Sequence, residues 1–269
     1  MPELRGITVS VNYGPLLHVT LVLNMRHMTE CLVITTPEDR ETQEVARGVS
    51  GVRLHVTDAF TRHGAIFNKG LALEEGFDVL GRNGWILIWD SDCVFPPELP
   101  IGQLDPTKLY GCLRRVLEDP ARWSPDLDWR TCATARDGGA IGFFQLAHAD
   151  APSLAGKRPW YDVSFTHAGG GDAYFMEHFD PAHRTVLQFE VLHLGPTSTH
   201  WFGTDQASKD MMARFVRENG WYTAMRKHSS ESAARAPEIV ERVEVPGYPA
   251  STYDLPFVRR AKKMRDQKP

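Results

Sequence analysis

The sequence predicts an α/β protein whose first third is a parallel, Rossmann-like half-sheet, and three observations carry that expectation. Three short runs rich in β-branched or large apolar residues, 7–11, 31–35 and 85–89, and one alternating run, 52–56, recur along residues 1–96. Segments with helical periodicity and helix start or stop signals separate them, so strands and helices alternate as in right-handed βα units on a parallel sheet. The last run, Trp85-Ile86-Leu87-Ile88-Trp89, is apolar throughout, as a strand buried on both faces must be, and it ends abruptly in Asp90-Ser91-Asp92.

Each element has its own justification. The strand at 7–11 closes at Asn12-Tyr13-Gly14-Pro15, where Gly-Pro punctuates the chain and a helix over 16–25 follows. After the strand at 31–35, Thr36 stands as a helix cap with Pro37 at the first helical position and Glu38 and Asp39 in the first turn. That helix runs to about Arg47, and the stretch 48–51 breaks it. Residues 64–77 are expected to be helical, with Ile66, Gly70, Leu73 and Phe77 on one stripe and Gly70 allowing a close backbone approach. Residues 97–159 are rich in Pro, Trp, Asp and Gly and resist division. Beyond them, 140–146 and 186–195 read as strands, and 167–175 reads as a glycine-rich loop entering a helix. The stretch 207–219 reads as an amphipathic helix stopped at Asn219-Gly220. The expected organisation is a catalytic region over 1–205, divided near residue 96, followed by a helix and a basic tail over 206–269.

Composition excludes several classes. A formal net charge of −4 gives the chain no global attraction to nucleic acid or anionic membrane. The C-terminus differs, because Arg259, Arg260, Lys262, Lys263, Arg265 and Lys268 face only Asp266. Cys31, Cys93, Cys112 and Cys132 form no C-x-x-C pair, which argues against a zinc site or a disulfide scaffold and suits a reducing, cytoplasmic compartment. No stretch approaches the ~20 apolar residues of a membrane span, and no G-x-G-x-x-G follows the first strand as a dinucleotide-binding dehydrogenase would require.

Ligands of open α/β sheets bind outside the carboxyl ends of the strands, so Asp90 and Asp92 stand where chemistry is expected. Two carboxylates at the mouth of a buried strand are costly unless a positive partner meets them, and a divalent cation is one solution. A helix cap or an Asx-turn after a core strand is the structural alternative.

Taken in order, Asn12-Tyr13 after the first strand, a helix opening near Asn68-Lys69-Gly70, the D-x-D run Asp90-Ser91-Asp92 and the Gly170-Gly171-Asp172 loop resemble the GT-A class of nucleotide-sugar-dependent glycosyltransferases. His193-Leu194-Gly195 and Trp201 complete the set, which covers roughly residues 5–205. The H-L-G-P…W-x-G run is similar to glycosyltransferases encoded by bacteriophages. The resemblance implies a GT-A fold. It also implies hexosyl transfer from a nucleotide-diphosphate sugar, a UDP-sugar foremost, to an acceptor hydroxyl, assisted by Mn²⁺ or Mg²⁺, whose hard oxygen ligands the D-x-D supplies.

By that resemblance Asp92 coordinates the metal directly, and Asp90 reaches it through water or holds the ribose or donor sugar. Ser91 lies between them at the donor. His193 is the third protein ligand, with His200 as its competitor. Asn12 and Tyr13 hold the nucleoside, Tyr13 by stacking, unless they are ordinary turn residues. Asp39 reads the base or ribose, or serves the helix dipole. Arg62, Asn68 and Lys69 surround a helix N-terminus suited to phosphate or sugar oxygens. Asp172 is the candidate catalytic base, or a helix cap; a third glycine stands where the commoner Gly-Gly-Glu-Asp pattern has its glutamate. Trp160, Tyr161 and Trp201 form an aromatic platform or are core. The implied acceptor is a hydroxymethylated pyrimidine in DNA, with the tail and Lys157-Arg158 on its phosphates, or a glycan, lipid or protein hydroxyl. A nucleotidyltransferase and a non-catalytic sugar-nucleotide-binding module are the alternatives.

Overall fold

The computed structural model describes residues 3–99, 103–135, 138–165, 168–196 and Asp210. Apart from Asp210, the expected helix at 207–219 lies outside the described residues, as do the basic tail, His200 and Trp201. The chain divides into two compact units. The first comprises residues 1–57, 75–155 and 179–197, and the second comprises 58–74, 156–178 and 198–269.

The first unit holds the whole sheet. Its strands are β1 (Leu4–Val9), β2 (Glu30–Thr35), β3 (Val52–Val56), β4 (Trp85–Asp90), β5 (Cys93–Val94), β6 (Leu109–Leu117), β7 (Ala133–Thr134), β8 (Phe144–His148) and β9 (Arg184–Leu194). The spatial order is β3-β2-β1-β4-β8-β6-β9-β5, with β7 paired to β6. β1, β2, β3 and β4 are mutually parallel, the half-sheet expected from the alternation of apolar runs. β4 then meets β8 antiparallel, and β6 runs parallel to β9. The parallel half-sheet continued by antiparallel strands is a mixed α/β architecture, the fold class the sequence predicts. Its helices are α1 (Gly14–Asn24), α2 (Arg40–Arg47) and, in the first unit from Glu75 onward, α3 (Lys69–Leu80).

Several elements differ from expectation for local reasons. Asp39, not Thr36, caps α2: its Oδ1 accepts the Thr42 N–H at 3.0 Å, so the helix starts at Arg40 rather than Pro37. α3 starts at Lys69 because Asn68 Oδ1 accepts the Leu71 N–H at 2.8 Å. His63, at φ 58°, interrupts the chain before it, and Ile66 is exposed rather than part of the buried stripe. The strand expected at 140–146 starts only at Phe144. β6, nine residues long, lies in the stretch that resisted division.

The core of the first unit packs Leu17 and Leu21 of α1 and Val33 of β2 against Leu87, Trp89, Phe95 and Phe144. α3 lies so close to the sheet that a Cβ on Gly76 would come within 2.3 Å of Ile34 Cδ1, so the glycine sets the helix–strand distance.

The second unit is built around a buried carboxylate. Glu74, fully buried, accepts the backbone N–H groups of Trp160 and Tyr161 at 2.8 and 3.0 Å. Gly70 makes the close approach expected of it, since a Cβ there would lie 2.1 Å from the Asp162 carbonyl oxygen. Trp160 and Tyr161 are 4% and 1% exposed and pack on Phe175 of α4 (Gly171–Met176), so both are core residues and not a platform.

His178, also in the second unit, hydrogen-bonds through Nε2 to the Trp160 carbonyl at 3.1 Å. Burial first, and Lys157 beside it, push its imidazole down to about 4. The native state therefore holds His178 neutral while the unfolded chain, with a histidine near 6.5, takes up a proton. Stability contributed here is present above pH ~6.5 and is lost at about 1.4 kcal/mol per pH unit as pH falls toward 4. Urea midpoints measured from pH 7 to 4.5 are expected to fall more steeply for the wild type than for His178→Gln. Parallel profiles would overturn the assignment.

Candidate functional site

Asp90 ends β4, and Ser91 and Asp92 turn the chain so that Cys93 begins β5 directly opposite His193 of β9. Two buried polar residues of α1 hold this turn from below. Thr20 Oγ1 donates to the Ser91 carbonyl at 2.6 Å. Asn24 Nδ2 donates to the Cys93 carbonyl at 2.8 Å, while its Oδ1 accepts the Phe95 N–H at 2.8 Å. Both are fully buried, and their four-residue spacing puts them on one helix face. Sequence reasoning passed over them; the available signal was two polar residues at i and i+4 inside an apolar helix.

Asp92 and His193 meet at this turn. His193 Nε2 lies 3.5 Å from Asp92 Oδ2, and the two residues are 6% and 8% exposed. The Leu194 N–H donates to the Asp92 carbonyl at 2.8 Å, which fixes the strand ends to each other. His193 Nδ1 lies 2.9 Å from the Gly195 carbonyl, and a carbonyl only accepts, so Nδ1 carries the hydrogen. Nε2 thus faces the carboxylate with a lone pair unless a proton or a cation sits between them.

Among the described residues, the group able to hold a metal is Asp92, Cys93 and His193, each offering a ligand atom, all within 4.8 Å of one another. Two of the three residues expected from sequence are in it. Cys93, which the sequence reading did not place at the metal, is the third. Asp90 remains close enough for its charge to act on both Tyr13 and Cys93. Burial pushes the Tyr13 phenol far up, and Asp92 and Asp90 push it further, so the hydroxyl keeps its proton as a hydrogen-bond donor beside the acids. Burial first, then Asp92 and Asp90, push the Cys93 thiol well up; Arg114 of β6, 7% exposed with its guanidinium 4.6 Å over the Phe143 ring, opposes them.

Asn12 adopts φ 59°, and its N–H donates to Asp39 Oδ2 at 2.5 Å; the Thr35 hydroxyl donates to the same oxygen at 3.1 Å. With Thr42 on the other oxygen, the 4%-exposed Asp39 joins the loop after β1 to the start of α2. Its role visible here is helix cap and loop anchor.

Arg62, Asn68, Lys69 and Asp172 belong to the second unit. Asn68 is 1% exposed, with Nδ2 on the Val163 carbonyl at 2.7 Å and Oδ1 capping α3, so both ends of its amide are engaged. Arg62 pairs with Asp58, with Nε 3.0 Å from Oδ1. Asp172 is half-buried in the first turn of α4, behind Gly170 at φ 89°. Lys157 donates to the His178 carbonyl at 3.2 Å.

No protein-family model matches the sequence, and no curated protein matches it. Solved structures are similar in fold at low identity. 4-Diphosphocytidyl-2C-methyl-D-erythritol synthase from Anaerococcus prevotii has a TM-score of 0.42 and 14% identity, covering 80% of this chain and 98% of that one. Glucosyl-3-phosphoglycerate synthase from Mycobacterium tuberculosis has a TM-score of 0.42 and 12% identity, covering 84% and 80%. Inositol-1-phosphate CTP transferase from T. maritima has a TM-score of 0.40 and 9% identity, covering 79% and 96%. Among the described residues no helix is long and apolar enough to cross a membrane.

Proposed function

We propose that the chain is a metal-assisted glycosyltransferase that moves a sugar from a nucleotide-diphosphate donor to an acceptor hydroxyl. The observation that carries this reading is the buried Asp92–His193 pair at the carboxyl edge of the parallel half-sheet, its imidazole oriented by the Gly195 carbonyl. A lone pair aimed at a carboxylate in a place with little water is what a cation site looks like before the cation is added. A bound divalent ion would supply charge stabilisation to the departing diphosphate.

The chain's own residues do the rest. Asp92 and His193 hold the ion, Asp90 supplies a second carboxylate at the strand end, and Tyr13 offers a protonated hydroxyl to a donor oxygen. Thr20 and Asn24 keep the turn from moving, so the acids are already in place when the donor arrives. Asp172 is the carboxylate assigned to take the proton from the acceptor hydroxyl, by general-base catalysis. A non-catalytic binding module would share the donor site but turn nothing over.

A thermal-shift screen of UDP-, GDP-, dTDP- and CMP-sugars, each with Mn²⁺ and with EDTA, tests the reading. One nucleotide sugar is expected to raise the melting temperature only with metal, because a ligand selective for the folded state stabilises it by mass action. No response to any sugar nucleotide in the presence of metal would overturn it.

A further inference from the structure

We propose that Cys93 is a third protein ligand of the Asp92–His193 metal site, which makes the site thiophilic: it takes Zn²⁺, or Co²⁺ in its place, in preference to Mg²⁺. The inference rests on the metal-site reading above and specifies which ion that site selects.

The placement of the thiol comes from strand pairing. Cys93 and His193 are directly opposed partners of the antiparallel β5–β9 pair, so their side chains project from the same face of the sheet. Cys93 Sγ lies 3.7 Å from Asp92 Oδ1, and Asp92 Oδ2 lies 3.5 Å from His193 Nε2, so the carboxylate bridges the other two ligands. All three ligand atoms fall within 4.8 Å of one another, and all three residues are buried. The fixed Nδ1–H of His193 leaves Nε2 as the coordinating atom.

One oxygen, one nitrogen and one sulfur from the protein form a donor set suited to zinc rather than to magnesium. Mg²⁺ favours oxygen ligands and near-octahedral geometry, whereas sulfur and imidazole suit Zn²⁺ and Co²⁺. Coordination through sulfur sends the thiol proton to solvent.

The test is spectroscopic and uses the full chain with Co²⁺ alone. Wild type titrated with Co²⁺ is expected to develop a near-ultraviolet sulfur-to-cobalt charge-transfer band, which Zn²⁺ abolishes and excess Mg²⁺ leaves in place. Cys93→Ser is expected to lose the band and to bind Zn²⁺ roughly tenfold or more weakly, while Cys112→Ser retains it. Co²⁺ bound by equilibrium dialysis without the band in wild type would overturn sulfur ligation and leave the Asp92–His193 site standing. A band that persists in Cys93→Ser would also overturn the proposal. No Co²⁺ bound at all would overturn the metal-site reading itself. The wild-type spectrum decides the matter even if the serine variant folds poorly.

Discussion

Asp92→Asn is expected to lower sugar transfer by roughly 10²–10³-fold, the usual loss when one preorganised electrostatic contact to a developing charge is removed. The substitution keeps the side-chain volume but takes away the negative oxygen that faces His193 Nε2 at 3.5 Å. It leaves the Asp92 carbonyl on the Leu194 N–H, so the β5–β9 connection survives. With Nε2 carrying a lone pair, the side-chain amide introduced by Asp92→Asn can donate to it, so the substitution leaves no unpaired buried charge behind. Transfer from the donor identified by thermal shift, measured beside the melting temperature, separates the effects. A folded variant that transfers sugar at the wild-type rate would falsify the role of Asp92.

Asn24→Leu is expected to cost about 2–5 kcal/mol of stability, because it strands two buried backbone groups at once, each worth roughly 1–3 kcal/mol when unpaired. The groups are the Cys93 carbonyl and the Phe95 N–H, both held at 2.8 Å by the one amide. Leucine is nearly isosteric, so no cavity confuses the result. Urea unfolding gives the stability loss directly. The variant is also expected to lose its metal-dependent thermal shift, since the released segment is the one that carries Asp92 and Cys93. Wild-type stability would mean that water or a relaxed backbone replaces the amide, and that α1 does not hold the turn.

The half-sheet was legible because local chemistry and global topology agree there. Four strand-like runs separated by helix signals can form little else, and β1 to β4 take the parallel pairing that the strand–helix alternation predicts. Asp90 and Asp92 were legible as a candidate site because carboxylates at a strand end have few cheap environments. The helix starts were less legible. Asp39 and Asn68 outcompete other capping positions because their side chains also bond to distant backbone, Asp39 to Asn12 and Asn68 to Val163.

The sequence by itself determined the four strands of the parallel half-sheet, their order along the chain, and the pair of acids at the end of the fourth. Only the tertiary structure decided the company those acids keep. Cys93 and His193 are a hundred residues apart and become partners through one antiparallel register, which no C-x-x-C spacing announces. The spacing of the cysteines argued against a zinc-like donor set; long-range strand pairing supplies one with a single cysteine. The physical reason is that periodicity and capping are written in neighbouring residues, whereas ligand sets are written in contacts that exist only after the sheet has closed.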